Sequence, residues 1–118
     1  MTPRDRGVRS RRKHPRYPLY AVAELRFKYA PERGPVETIV AIANISTSGL
    51  GLYSHTPLEN GSHVTLDITL SGRKDMKERL EGRIVWVSKE ENLHLIGVAF
   101  EKELNEREHP LLYRLVSS

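Results

Sequence analysis

Along most of this chain, large apolar side chains recur at every second position, and the spacing turns helical only near the end. From Leu19 to Tyr29, Ala21, Ala23, Leu25, Phe27 and Tyr29 fall in one register, with Val22, Glu24, Arg26 and Lys28 in the other. Successive side chains of an extended chain point to opposite faces, so this is the pattern of a half-buried strand. Pro31, Gly34 and Pro35 then mark a turn. Val36 to Ile45 is β-branched and apolar and predicts a second strand, which the small polar run Ser46 to Gly49 interrupts. Leu50 to Tyr53 predicts a short third strand containing Gly51, and Thr56 to Ser62, with Pro57 and Gly61, predicts a loop. The strictest alternation follows, with Val64, Leu66, Ile68 and Leu70 set against Thr65, Asp67 and Thr69. Beyond the turn Ser71–Asp75, Arg79 to Val87 puts Leu80, Gly82, Ile84 and Trp86 on one face. That register assigns Trp86 first to the core or the rim of a barrel. Lys89 to Asn92 predicts a polar turn, and Leu93 to Phe100 a last strand. Gly82 and Gly97, inside strands, predict bulges or bends of the kind barrel closure needs.

In the tail, Leu104, Leu111, Leu112, Leu115 and Val116 can share one broad helical face. Pro110 fits the first turn of a short final helix. The alternative is a helix that begins at Asn105, with Glu108 three residues on, and kinks at Pro110. Five to seven short strands joined by polar turns specify an antiparallel barrel or sandwich.

The 118 residues, 38% apolar and 29% charged, suit one domain with a modest core. There is no cysteine, which excludes a disulfide framework, a thiolate zinc site and a cysteine nucleophile. No apolar run approaches the roughly 20 residues that span a bilayer, and no apolar stretch follows the basic N-terminus as in a secretory signal. A cytoplasmic location is therefore the expectation. Charge is unevenly placed. Residues 1–16 hold seven basic side chains and one acid, a net of +6, so the other 102 residues carry −2 of the chain's +4. Residues 1–14 contain only Met1 and Val8 as large apolar groups and cannot order themselves by burial. The expected organisation is a flexible basic N-terminal arm, 1–18, ahead of a folded unit, 19–118. Such an arm attracts polyanions: nucleic acid, anionic lipid or a phosphorylated small molecule.

Two motifs carry candidate chemistry. Arg12-Lys13-His14-Pro15-Arg16 is an R-x-x-x-R spacing. Guanidinium groups pair bidentately with phosphate or a guanine edge and stack on bases. In extended backbone the two arginines lie roughly 13 Å apart, so their long side chains can converge on one ligand. Asn44-Ile45-Ser46-Thr47-Ser48-Gly49 lies where one strand breaks and the next begins. Asn44 and Ser46, two apart, share a face in an extended chain and offer donors and acceptors to a polar base edge. Gly49 permits positive φ or a close approach of backbone and ligand.

In this order, R-x-x-x-R before the first strand and N-x-S-x-x-G after the second, the pair resembles the signature of the PilZ family. Arg16-Tyr17-Pro18-Leu19, the stretch Asn44–Leu52, the strand Glu81–Val87, the closing Ile96–Phe100 and the terminal helix are similar to the family's landmarks, nearly the whole length of the chain. The family takes Asp or Asn where Asn44 stands. The resemblance implies an all-β fold, a six-stranded antiparallel barrel with a C-terminal helix, that binds the bacterial second messenger cyclic di-GMP. It implies that Arg12 and Arg16 supply charge, forked donors and stacking planes, that Asn44 and Ser46 hydrogen-bond a guanine, that Gly49 shapes the turn, and that the arm closes over the ligand. Arg11, just before R-x-x-x-R, points to a stacked second ligand molecule.

The expected role is a receptor or adaptor, not an enzyme. It signals through contact with a downstream protein, since this chain shows no second domain and no catalytic set. The two alternatives are a small barrel binding RNA or DNA through its basic arm, and a nonbinding PilZ-like interaction module. Few aromatics accompany the basic run, which argues against nucleic acid. The complete motifs argue against a nonbinding module. His14, His55, His63, His94 and His109 lack metal-ligand spacing and read as surface or turn residues; no metal, cofactor or membrane contact is expected. Ser46 has no nucleophile elbow around it and no acidic partner in the sequence, so it is not a hydrolase nucleophile.

Overall fold

Residues 16–28, 34–70 and 76–117 are described in the computed structural model. Six strands form: β1 Tyr17–Lys28, β2 Pro35–Ile45, β3 Gly49–Ser54, β4 His63–Thr69, β5 Lys77–Glu90 and β6 Leu93–Phe100. Among the described residues one helix, α1, spans Pro110–Ser117. The strands close into an antiparallel barrel in the order β1-β2-β3-β6-β5-β4, with β4 paired back to β1. Among the described residues no helix is long and apolar enough to cross a membrane.

The alternation read from the sequence selects the inward face. Leu25, Ile45, Leu50, Leu52, Val64, Leu66, Ile68, Ile84 and Ile96 are fully buried inside the barrel. Burial of one such side chain stabilises by about 1.5–3 kcal/mol, so the interior dominates stability. The barrel needs three register shifts, between Pro18 and Ala21, between Ile42 and Asn44, and between Ile84 and Trp86. The third changes the sequence-based assignment. A bulge at Val85 moves Trp86 off the face of Leu80 and Ile84, and leaves it 40% exposed on the outer wall opposite Gly97. The β5–β6 turn is tighter than Lys89–Asn92. The strands run to Glu90 and resume at Leu93, with Glu91 in the left-handed region at φ 54°.

The tail takes the shorter of its two possible forms. Pro110 is the first residue of α1, where its missing N–H costs nothing. Asn105 does not start a helix; its side chain accepts the Glu108 N–H at 2.8 Å and closes a turn. Leu104, Leu112 and Val116 are buried, but Leu115 is exposed, so the apolar face is narrower than the spacing suggested. A polar clamp fixes the helix to β5. The buried carboxylate of Glu78 accepts the Leu111 N–H and the Leu112 N–H, both at 2.9 Å, which satisfies two of the orphan donors of a helix start. His109, expected at the surface or in a turn, is buried beside the start of α1. Its Nε2 lies 3.0 Å from the carbonyl oxygen of Arg79, which can only accept, so that nitrogen carries the hydrogen.

The outer wall over β1, β4 and β5 is ionic. Asp67 receives Arg26 Nη2 and Arg79 Nε, each at 2.8 Å, and Lys77 reaches Glu24 at 2.8 Å. The Arg79 hydrogen bond, with the charges of Arg79, Arg26 and Lys77, holds the Asp67 carboxyl below its ordinary range despite partial burial.

The clamp gives a first prediction. Replacing Glu78 by Ala leaves two buried helix N–H groups unpaired and should cost about 1–3 kcal/mol of unfolding free energy, read by urea denaturation. Glu78→Gln, which keeps an acceptor, should lose less. Equal stability of wild type and Glu78→Ala would show that the clamp contributes nothing.

Candidate functional site

The polar run between β2 and β3 is a loop held by its own backbone. Ser46 is only 2% exposed, and its hydroxyl oxygen accepts the N–H groups of Ser48 and Gly49, each at 3.2 Å. The Ser46 N–H donates to the Gly49 carbonyl at 2.8 Å. The loop is also stitched outward. Phe100 N–H donates to the Ser48 carbonyl and Leu104 N–H to the Thr47 carbonyl, both at 2.9 Å. Gly49 begins β3 where a side-chain Cβ would collide with the backbone carbonyl of Val98. Close approach of β6, rather than positive φ, is therefore what requires glycine there.

Just before this loop, Asn44 faces outward and begins a row that crosses four strands. Pairing runs Asn44 to Gly51, Gly51 to Gly97, and Gly97 to Trp86. Paired residues of neighbouring strands share a face, and in this row the two central ones have no side chain. Asn44 and Trp86 therefore lie down over them. A Cβ built on Gly51 would sit 3.2 Å from both Oδ1 and Nδ2 of Asn44. One built on Gly97 would collide with Nε1 and neighbouring atoms of the Trp86 indole. The amide and the indole thus rest flat on adjacent parts of the wall.

The row is extended at its Asn44 end by the residue that precedes β1. Pro18 pairs with Asn44, and Arg16, two positions earlier, donates from Nη1 to Asn44 Oδ1 at 2.7 Å. Guanidinium, amide and indole, three planar groups, stand in sequence on the outside of the barrel. A planar ring with polar edges matches such a strip, by stacking on the flat groups and by hydrogen bonds to their edges.

The profile of the PilZ domain matches residues 10–118. This chain belongs to the PilZ domain family. No curated protein sequence matches significantly. Among solved structures, MotI/DgrA, the inhibitor of motility of Bacillus subtilis, superposes with a TM-score of 0.65 at 14% identity, over 90% of this chain and 49% of the other. MrkH of K. pneumoniae, solved as a complex with c-di-GMP, gives 0.62 at 18% identity, over 88% and 50%. The PilZ domain of YcgR from Escherichia coli, solved with c-di-GMP, gives 0.53 at 13% identity, over 89% and 91%. At these identities the likeness is one of fold. The chain spans about half the length of the MotI/DgrA and MrkH chains.

In this PilZ domain the sequence-based site residues separate into three groups. Arg16 and Asn44 are in direct contact. Ser46 and Gly49 are adjacent but form the loop. Ser46 lies beyond the end of β2 at Ile45, is buried, and uses its hydroxyl within the loop, on the N–H groups of Ser48 and Gly49. Arg11 and Arg12 lie outside the described residues. Reading by residue type missed Gly51 and Gly97, and gave Trp86 a guanine-stacking role only by similarity, behind core or rim packing. One signal was available for Trp86: four successive large apolar residues, Ile84-Val85-Trp86-Val87, break the alternation that precedes them, as a bulge does.

Trp86 is the only tryptophan of the chain, which makes the row directly observable. Gly97→Ala should displace the indole and shift its emission to longer wavelength, while far-UV circular dichroism stays unchanged. An unshifted emission spectrum would mean that the indole does not rest on Gly97 in solution.

Proposed function

We propose that this PilZ domain is a cyclic di-GMP receptor whose ligand spans the outer row from Arg16 to Trp86. One observation carries the reading. The last arginine of R-x-x-x-R and the asparagine of N-x-S-x-x-G, 28 positions apart, meet through a 2.7 Å hydrogen bond on an open barrel wall. The ligand is flat, aromatic and dianionic. Arg16 supplies charge and a forked donor, Asn44 a base-edge hydrogen bond, and Trp86 a stacking surface. Two of the PilZ structures that share this fold were solved with c-di-GMP, which supports the same ligand here.

Arg12 lies four residues before Arg16, within roughly 13 Å along extended backbone, and closes on the ligand from the other side. Arg11 contacts a second, stacked ligand molecule, giving two per protomer. Binding neutralises part of the +6 carried by residues 1–16 and fixes that segment against the barrel. The altered surface is then read by a protein partner. The domain acts as a receptor and adaptor in the cytoplasm and catalyses no reaction.

Isothermal calorimetry with cyclic di-GMP tests this. Saturable binding with two molecules per protomer is expected, together with a change in Trp86 emission. At ligand a hundredfold above Kd, the domain should gain about 2.7 kcal/mol of stability, seen as a raised Tm. Arg16→Ala and Asn44→Ala should each weaken binding by about tenfold or more, the loss of one charge-assisted or base-edge hydrogen bond. Neither heat nor a Tm shift at excess ligand would reject the reading. A stoichiometry of one would remove only the second molecule.

Closure of the arm has its own readout. Amide hydrogens of residues 1–15 should exchange more slowly once ligand is bound. Identical exchange with and without ligand would rule closure out.

A further inference from the structure

The ion pairing of the outer surface breaks down at one place. Glu81 on β5, Glu101 just after β6 and Glu108 in the turn before α1 line a cavity of about 340 Å³, together with Arg79, Lys102 and His109. Three carboxylates there meet two basic side chains, and Arg79 is already committed, since its Nε and Nη2 reach Asp67 at 2.8 and 3.2 Å. Glu81 and Glu101 converge. Glu81 Oε1 lies 3.5 Å and Glu101 Oε2 3.4 Å from the same atom, His63 Nε2. One ring nitrogen brings at most one N–H, and both distances exceed the roughly 2.7–3.2 Å of an ordinary N–H···O bond, so the two carboxylates keep acceptor capacity. The buried wall of the cavity lacks a donor as well. His109 is only 7% exposed, its Nε2 hydrogen is used on the Arg79 carbonyl, and its Nδ1 has no hydrogen-bond partner among the described residues. With the hydrogen on Nε2, Nδ1 of the neutral ring is an acceptor, and a buried acceptor left unpaired is destabilising.

We propose that this cavity is a docking pocket for an arginine side chain of a protein partner. The occupant is defined by what the lining lacks, positive charge beside the carboxylates and an N–H donor for His109. A guanidinium supplies both, with a permanent charge, five donors in one plane and no acceptor. Its fork pairs bidentately with a carboxylate, whereas an ammonium is a compact, strongly hydrated point charge. Depth selects a side chain on a stem. The carboxylates of Glu81 and Glu101 are half-exposed while the imidazole is buried, and the three methylenes of arginine carry its charged head across such a gradient. Size agrees, since small-molecule sites occupy roughly 300–1,000 Å³ and this cavity lies at the lower end of that range. A metal ion is a poorer occupant, because among the described residues no group of three His, Asp or Glu side chains is arranged to hold one. The cavity shares no residue with the strip from Arg16 to Trp86, so the proposal is independent of the cyclic di-GMP reading.

The test uses the full chain without cyclic di-GMP and two peptides, acetyl-Gly-Arg-Gly-amide and its citrulline counterpart, in which a neutral urea replaces the guanidinium. In proton–nitrogen correlation NMR, the arginine peptide should shift the amide signals of Glu81, Glu101, Glu108 and His109 saturably, with a Kd of roughly 1 mM, and should move the Nδ1 resonance of His109. The citrulline peptide should bind about tenfold more weakly or worse, having lost the charge-assisted hydrogen bonds. Glu101→Gln should weaken the arginine peptide several-fold and leave the signals of the barrel core in place, since that side chain is half-exposed. Three results would each overturn the proposal: signals of Glu101 and His109 that stay put with peptide at about ten times that Kd, equal binding of the two peptides, or shifts spread evenly over Glu24, Asp67 and the other acids outside the cavity. The peptide pair decides the matter on wild-type protein even if Glu101→Gln fails to fold. A wild type that ignores cyclic di-GMP is a separate result, which bears on the receptor reading and leaves this one standing.

Discussion

Two glycines side by side, Gly51 on β3 and Gly97 on β6, leave the middle of one barrel wall without side chains, and the arrangement of the candidate site follows from that gap. A strand surface normally carries a side chain every second residue, standing away from the sheet. Where none stands, the neighbouring Asn44 and Trp86 side chains fold down onto the backbone and lie flat. Flatness is what a purine needs from a surface, because stacking requires a plane and edge recognition requires donors in that plane. Any larger residue at Gly51 would press on the amide, and one at Gly97 would displace the indole. The constraint on these two positions is thus steric and comes from the site, unlike that on Gly49 and Gly82, whose missing side chains make room for the backbone carbonyls of Val98 and Ala99.

The two outer walls of the barrel divide the work. Over β1, β4 and β5 the charged groups are paired with one another, Asp67 with Arg26 and Arg79, Glu24 with Lys77. Such exposed pairs contribute little to stability, but they leave that wall little uncompensated charge with which to attract a ligand. Over β2, β3 and β6 the outward row that includes Gly51 and Gly97 carries no acid or base. Among the described residues, Arg16 brings a positive charge to it at the edge of the wall. An anion approaching the barrel from this side meets a neutral, planar surface with a cation at one end.

The barrel was legible in the sequence because its determinant, period-two burial, is local. Ala21, Ala23, Leu25 and Phe27, or Val64, Leu66 and Ile68, announce their face without reference to any other strand. What could not be read depends on pairing register. Gly51 lies opposite Gly97 only because β3 and β6 pair with that offset, and nothing in either segment alone specifies it. Trp86 was assigned inward because the alternation was extended through Val85, where the strand bulges. Ser46 was assigned to the face of Asn44 because extended geometry was carried one residue past the strand's end. His109 and Glu78 were missed for a similar reason, since their burial is created by α1 docking on β5, a long-range contact. Of the site itself, the resemblance to the PilZ signature implied that Arg16 and Asn44 belong together. That they meet through Arg16 Nη1 and Asn44 Oδ1, beside an indole, required the fold.

The pairing of β1 with β2 explains how Arg16, which precedes the first strand, comes to lie beside Asn44. Tyr17 pairs with Ile45 and Pro18 with Asn44, which fixes the backbone next to Arg16 at the level of the loop. Proline at the start of a strand is tolerated because it interrupts little of the ladder, and the register shift between Pro18 and Ala21 absorbs the irregularity before regular pairing resumes at Ala21. Arg16 is therefore placed by the sheet itself rather than by the segment that precedes it. The reach of Arg12 is set by four residues of backbone from that anchor, which makes the spacing within R-x-x-x-R a distance measured from the barrel wall.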